Sequence, residues 1–243
     1  EVERIRLEEA IEKPGREGLF GEIVVAGELF TRIGLESDTN ATTTRRMLLL
    51  TESVSAYDGR VHQTALTATL DRYCFDHEEQ NPERDPSRIP RFLLNDLIRY
   101  WRTIAVDFGA KRWRLLGKGW HLRLAKLRTS RKLMIAGSLA SVLQTPRMVN
   151  DEKKLAAYLF EQFRKPALAR LVCTFDLLGE KAKSSLKEIL IAYNRFIEIT
   201  GKKENRELLE DERSTEGEKL RKELHEISES VQQGLEEIFY LDP

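Results

Sequence analysis

The sequence has few of the residues that build disulfide-rich, disordered or membrane-spanning proteins. Only two of its 243 residues are cysteine, which excludes a disulfide scaffold and predicts a reducing, cytoplasmic compartment. Seven prolines and 14 glycines, beside many Leu and Ile, argue against disorder along the whole chain. No apolar run approaches the roughly 20 residues that a membrane helix needs, so we expect no membrane partner.

The chain also lacks net charge, because 40 basic residues balance 40 acidic ones. This balance hides a partition along the sequence. Residues 88–132 carry 13 Lys or Arg and two acids, whereas residues 201–243 carry 7 basic and 13 acidic residues. The basic middle can attract a polyanion. The alternative is that it docks on the acidic parts of the same chain.

Helical periodicity dominates the sequence and predicts a mainly α protein, a helical bundle of antiparallel helices. At most one short strand is expected, near the N-terminus, over residues 22–26 (EIVVA). Two long central helices are predicted at about 90–113 and 119–144. Further helices are predicted at 151–163, 166–178 and 180–200, and one or two amphipathic helices within 203–239.

Composition divides the chain into four segments. Residues 78–90 contain three prolines and six charges, which predicts an exposed linker. Before it, residues 1–77 are expected to end in a helical hairpin. After it come a basic central helical bundle over 91–200 and an acidic, amphipathic helical region over 201–243. The last region also offers a surface for a homo-oligomer.

The two central helices carry the candidate anion site. Projected at 100° per residue, the second helix places Arg131 inside its apolar stripe, where a lone charge is too costly to leave unpaired. Asp107 is an available partner, and a salt bridge between the two is the structural alternative to an anion site. The residues assigned to phosphate or anion binding are Arg99, Arg102, Arg123, Lys126, Ser130, Arg131 and Lys132.

Other chemistry has little support in the residue pattern. The four histidines are widely spaced, and none pairs with Cys or Asp at the spacing of a zinc site, so no metal site is assigned. Cys74 and Cys173 both lie among apolar residues and are expected to be buried. Glu52 is expected to pair with Arg45 or Arg46 near the start of its helix.

Two stretches carry a family resemblance, residues 12–53 and residues 91–139. The first contains the pattern D-x-N-x-x-x-T-R-R, at Asp38, Asn40, Thr44, Arg45 and Arg46. The second contains R-Y-W-R-T…D…K…R…K-L-R-x-S-R-K, at Arg99, Tyr100, Trp101, Arg102, Thr103, Asp107, Lys111, Arg123, Lys126, Ser130, Arg131 and Lys132. Together they resemble the helical region that follows the catalytic core in bacterial nucleotidyltransferase-like proteins.

The resemblance implies a function that this sequence cannot perform alone. In that family a core with a Gly-Ser turn and an Asp-x-Asp pair holds the metal, and no such pair is present here, so no catalytic residue is assigned. Either the core lies before Glu1, with residues 1–77 including its remnant or linker, or the protein has lost this chemistry. Mg²⁺ and a nucleoside triphosphate are expected as cofactors only if that core is present. Asp107, Lys111, Asp38, Asn40, Arg45 and Arg46 are assigned structural, orienting roles.

The expected function is therefore the substrate side of a nucleotidyltransferase-like protein. Its basic surface would bind the phosphates of a nucleotide or an anionic acceptor. Two alternatives remain open. The first is a non-enzymatic helical module that binds RNA or DNA through the same surface. The second is a helical protein-interaction domain.

Overall fold

The computed structural model describes residues 24–55, 58–74, 89–149 and 152–240, and nearly all of them are helical. The helices are α1 (Ala26–Thr31), α2 (Asn40–Thr51), α3 (Gly59–Cys74), α4 (Arg91–Arg114), α5 (Trp120–Lys126), a π-helical segment (Leu127–Arg131), α6 (Lys132–Leu143), α7 (Thr145–Met148), α8 (Glu152–Phe163), α9 (Ala167–Asp176), α10 (Glu180–Gly201), α11 (Lys203–Glu210) and α12 (Thr215–Tyr240). The predicted mainly α, helical-bundle class is confirmed. Over these ranges no helix is both long and apolar enough to cross a membrane.

The short strand expected over residues 22–26 is not found in the part of it that is described. Glu22 and Ile23 lie outside the described residues. Val25 has an extended backbone, but its carbonyl accepts the amide of Glu28 at 3.0 Å and Ala26 begins α1. No strand occurs elsewhere in the described ranges. The chain thus passes from an extended Val25 directly into a helix.

Local side chains define where the helices begin. The Thr39 hydroxyl accepts the amide of Thr42 at 3.2 Å and caps α2. Asp58 accepts the amide of Arg60 at 2.8 Å ahead of α3. Between α4 and α5, Gly117 and Gly119 have φ of 79° and 72°, which reverses the chain within five residues.

Two hydrophobic cores lie on opposite sides of α6. The first collects apolar side chains from Ile33 to Phe163, and the second collects side chains from Ala125 to Ile238. Met134, Ile135 and Val142 of α6 belong to the first core, whereas its Leu133, Ala136 and Ala140 belong to the second. Nine of the 12 residues of α6 are buried, as expected for a helix that is apolar on all faces.

The packing does not follow the four segments that composition suggested. The first core joins helices from both sides of residues 78–90. Of that stretch only Ile89 and Pro90 are described, and Ile89 packs against the first core while Pro90 is buried. The acidic region from Lys203 to Tyr240 packs on the second core through α11 and α12.

Neighbouring helices run in both relative directions. In α10 and α12, Ser185 contacts Glu237 and Arg195 contacts Glu223, so these helices are antiparallel. In α6 and α9, by contrast, contacts advance together along both helices. Ser138 meets Arg170, and the Ser141 hydroxyl lies 3.1 Å from that of Thr174. The predicted antiparallel arrangement therefore holds for the first pair and fails for the second.

Candidate functional site

A strongly basic surface is formed by a helical hairpin of residues 105–126, which we call the basic hairpin. It comprises the C-terminal half of α4, the turn and α5. It contains one acid, Asp107, and six Lys or Arg: Lys111, Arg112, Arg114, Lys118, Arg123 and Lys126. Asp107 accepts from Lys111 at 2.7 Å, one turn along α4, which matches the predicted orienting pair. The remaining positive charge faces outwards.

Apolar side chains project from the end of the basic hairpin. No residue from 101 to 124 is buried. Trp113 is 81% exposed, Leu116 is 95% exposed and Val106 is 72% exposed. In the sequence Trp113 lies between Arg112, whose guanidinium group stacks on Trp120, and Arg114, so an exposed aromatic ring occurs within a basic segment. A large exposed apolar group with a charged rim is typical of a contact surface.

The hairpin is nevertheless a defined structure. Phe108 of α4 packs on Trp120 of α5 with 4.3 Å between ring centroids, and the Arg112 guanidinium lies 4.6 Å from the Trp120 ring. Arg123 donates to the Lys118 carbonyl at 2.7 Å. The Gly119 amide donates to Glu210 of α11 at 2.6 Å. These contacts fix the turn that presents Trp113 and Leu116.

Four of the residues that the sequence singled out meet in a buried network around Asp96. We call Asp38, Arg46, Tyr73, Asp96 and Arg99 the Asp96 network. Arg46 is fully buried and donates to both oxygens of Asp38, at 3.2 and 2.8 Å, and to Asp96 at 2.6 Å. Tyr73 accepts from Arg46 and donates to Asp96, while Arg99 donates to Asp96 at 3.1 Å. Asn40 accepts from Arg99 at 3.3 Å on the exposed side.

Burial and hydrogen bonding set the protonation states in this network. Burial opposes charge on Arg46, but its hydrogen bonds with Asp38 and Asp96 outweigh that effect and raise its pKa. Burial raises the pKa of Tyr73 well above its ordinary value, so the phenol keeps the proton that it donates to Asp96. Two guanidinium groups face two carboxylates here. The network is therefore neutral and offers no net positive charge to an anion.

Arg131 does not make the predicted ion pair with Asp107. It donates to Glu52 at 2.5 Å, and its side chain is 45% exposed. Tyr100 donates to the other oxygen of Glu52 at 2.7 Å, and burial raises the pKa of Tyr100, followed by the effect of Glu52. Glu52 thus joins the end of α2 to α4 and to the π-helical segment, and the expected pairs of Glu52 with Arg45 or Arg46 are not formed.

The other predicted anion ligands point in different directions. Lys132 donates to Gln232 of α12 at 2.5 Å, and burial, followed by repulsion from Arg128, lowers its pKa. Ser130 donates to the carbonyl of Lys126 in its own helix at 3.1 Å. Arg102 and Lys126 are exposed and make no ion pair within the described ranges. The seven residues therefore form an extended surface and not one pocket.

Three side chains important for the structure were missed in the sequence. Asp96 is the centre of the network, and it is one of only two acids among the basic residues 88–132, which is a usable signal. Tyr73 carried no signal. Arg170 is buried without a carboxylate and donates to Ser138 at 2.6 Å and to the carbonyls of Gln162, Phe163 and Lys165 at the end of α8. Burial lowers the pKa of Arg170 to about 10.

Comparison with protein-family models, with curated proteins and with solved structures gives no match for this chain. The resemblance to nucleotidyltransferase-like proteins therefore stays a prediction. Among the described residues, no three His, Cys, Asp or Glu side chains are grouped closely enough to hold a metal ion. The function has to be inferred from the surface itself.

Proposed function

We propose that the chain binds single-stranded nucleic acid through the basic hairpin. The observation that carries this proposal is Trp113, which is 81% exposed on a hairpin that holds six Lys or Arg and one acid. Base stacking on an aromatic ring combined with phosphate contacts from Lys and Arg is how proteins bind single strands without reading sequence.

The partners and positions of the predicted phosphate ligands favour a nucleic-acid polymer over a free nucleotide as the bound molecule. A nucleotide site is normally concave and gathers several polar groups on one small ligand. Here Arg99, Arg131 and Lys132 already bind other side chains of the protein. The cations that remain exposed, such as Arg102 and Lys126, are spread along α4 and α5. An extended polyanion can contact such a surface at many points.

The exposed aromatic ring favours a single strand over a duplex. In a duplex the base faces are stacked on one another, so Trp113 could contact only phosphate and sugar. In a single strand the bases are free to stack on the indole. Leu116 and Val106 extend the apolar surface beside it, which suits the faces of neighbouring bases.

The substrate side of a nucleotidyltransferase-like protein is the second candidate for the function of this chain. One observation favours it: the two resembling stretches meet in space, because Arg46 contacts Asp96 and Asn40 contacts Arg99. A purely structural role in these contacts would also account for the residues of the two resembling stretches. In this candidate the basic hairpin would hold a nucleic-acid acceptor, and thermal-shift measurements with ATP, GTP, CTP and UTP plus Mg²⁺ would show stabilisation by one of them.

Fluorescence anisotropy with a labelled single-stranded RNA tests the proposal. We expect Trp113→Ala to weaken binding by about 1–3 kcal/mol, the usual contribution of one stacked base. We expect Lys118→Ala to lower the slope of log K against log salt by about 1, since one phosphate contact is lost. Tyr240→Ala is the matched control, because Tyr240 is also an exposed aromatic side chain, 83% exposed, but lies at the end of α12.

Three results would overturn the proposal. They are a Trp113→Ala variant that binds as tightly as the parent, a duplex that binds as tightly as the single strand, and binding to vesicles of acidic phospholipid with none to RNA or DNA. The last result would assign Trp113 and Leu116 to a lipid surface, where an apolar side chain with basic neighbours is also favourable.

A further inference from the structure

A small cleft lies between α12 and the helix formed by α5 and the π-helical segment. Its lining consists of His121, Leu124, Ala125, Arg128, Arg221, Leu224, His225 and Ser228. Four of these residues carry basic groups and none is acidic. The cleft has a volume of about 60 Å³. Because one water needs about 10–15 Å³ on this measure, the cleft has room for a few waters or one small ion.

Arg128 and His225 face each other across this cleft. The Arg128 Nη1 lies 3.3 Å from Nδ1 of His225, so the imidazole must be neutral at Nδ1 to accept the hydrogen bond. Arg128 makes no ion pair with any described carboxylate. Its guanidinium group therefore keeps donors that no acid satisfies. His121 lies on the same side of the cleft as Arg128, one helical turn before Ala125, and faces α12.

The surrounding charges leave the cleft positive. Arg221 lies at the edge of the cleft and donates to the carbonyls of Leu209 and Asp211 at the C-terminal end of α11. Lys132, one turn beyond Arg128, is repelled by it. The nearest acids lie outside the lining. Glu229, one turn after His225, is exposed and interacts with Lys132, and Glu210 of α11 accepts the Gly119 amide.

We propose that this cleft binds a tetrahedral dianion, such as sulfate, phosphate or a phosphate monoester, between Arg128 and the two histidines. The guanidinium group offers two parallel donors to the oxygens of such an ion. Each neutral imidazole adds one N–H donor, and Nε2 is the donor of His225 because its Nδ1 accepts from Arg128.

His121 belongs to the basic hairpin, whereas Arg128 and His225 lie outside it. Variants of Arg128 and His225 therefore test this site separately from the proposed binding of nucleic acid.

Calorimetric titration of the full chain with sodium sulfate tests the site. At constant ionic strength and one fixed pH, we expect saturable binding of one sulfate ion. Arg128→Gln should reduce the affinity by at least about tenfold. His225→Ala should also weaken binding, because one donor of the cleft is lost.

Two controls keep the test decisive. Arg60→Gln removes an exposed arginine of α3 and should leave sulfate binding unchanged. In the unmodified protein, sulfate should shift the imidazole NMR signals of His121 and His225 and leave that of His62 in place. Equal sulfate affinity in Arg128→Gln and the parent, or histidine signals that do not move, would refute the site.

A second titration separates the sources of the dianion. Inorganic phosphate is compared with a 5′-phosphorylated dinucleotide and with the same dinucleotide without its terminal phosphate. Tighter binding of the phosphorylated dinucleotide than of phosphate assigns the cleft to a phosphate monoester on a larger molecule. Equal binding assigns it to the free ion. Binding of neither contradicts the proposal.

Discussion

At the scale of single residues, the protein solves the same problem of a buried guanidinium group in two ways. Arg46 is neutralised by two aspartates and a tyrosine, whereas Arg170 binds one hydroxyl and three backbone carbonyls. A buried charge without partners is far too costly to keep, so each arginine needs its own set of hydrogen-bond partners for the chain to fold. The two arginines therefore have structural roles, although Arg46 lies in a pattern that suggested chemistry.

Removing the carboxylate of Asp96 should destabilise the first core strongly. Asp96→Asn leaves Arg46 with one buried carboxylate in place of two, and we expect the free energy of unfolding to fall by about 3–5 kcal/mol. Asp107→Asn is the matched control on the same helix, since Asp107 pairs with Lys111 near the surface and should cost less than about 1 kcal/mol. Urea denaturation followed by circular dichroism measures both. Equal losses would mean that the network contributes no more than a surface pair.

Single residues were also where the sequence predictions succeeded least. Cys74 is buried as expected, but Cys173 is exposed, because α9 turns Arg170, Leu171, Thr174 and Phe175 inwards. The apolar run around Cys173 concealed that helical face. The partner of Arg131 is Glu52, 79 residues away along the chain, and no local pattern reports a contact at that separation.

At the scale of elements, the helices were largely predictable from periodicity. The two central helices were expected at 90–113 and 119–144, and they span Arg91–Arg114 and Trp120–Leu143. What periodicity missed is the π-helical segment Leu127–Arg131 inside the second of them. A wider turn shifts the following residues around the axis relative to a projection at 100° per residue. Arg131, at the end of this segment, therefore leaves the apolar stripe and reaches the half-exposed Glu52.

The contact between α11 and α12 depends on a missing side chain. A Cβ added at Gly217 would lie 2.2 Å from the Leu208 carbonyl oxygen, so the backbone would have to move. We expect Gly217→Ala to lower the free energy of unfolding by about 1–3 kcal/mol. Gly109→Ala is the control, because Gly109 is inside α4 with open space around it. That change should stabilise the protein by about 0.5–1 kcal/mol through helix propensity. The same sign for both changes in thermal unfolding would contradict this account.

At the scale of the whole molecule, α6 makes the two cores one cooperative unit. Its opposite faces belong to different cores, so one core cannot lose α6 without exposing the other. Composition suggested four segments because charge changes along the sequence. The buried faces of α6 instead divide the fold into two hydrophobic cores, and a count of charges along the sequence cannot reveal this division.

A cavity in the first core should therefore also lower the free energy of unfolding of the second core. Leu97→Ala removes a fully buried side chain of α4 and should cost about 2–5 kcal/mol. Hydrogen exchange of the amides of α12, which contribute only to the second core, should accelerate to match that loss. Unchanged exchange in α12, with the loss confined to α2, α3 and α4, would show two units that unfold separately.

The different shells of Arg46 and Arg170 have a consequence for acid conditions. Carboxylates lose their charge when they are protonated, whereas backbone carbonyls keep their dipoles at any pH. The shell of Arg46 is made of carboxylates and a phenol, whereas that of Arg170 is made of three carbonyls and a hydroxyl. A change of protonation can therefore remove partners of Arg46 but leaves those of Arg170 in place, and α6 couples both regions to the same unfolding event.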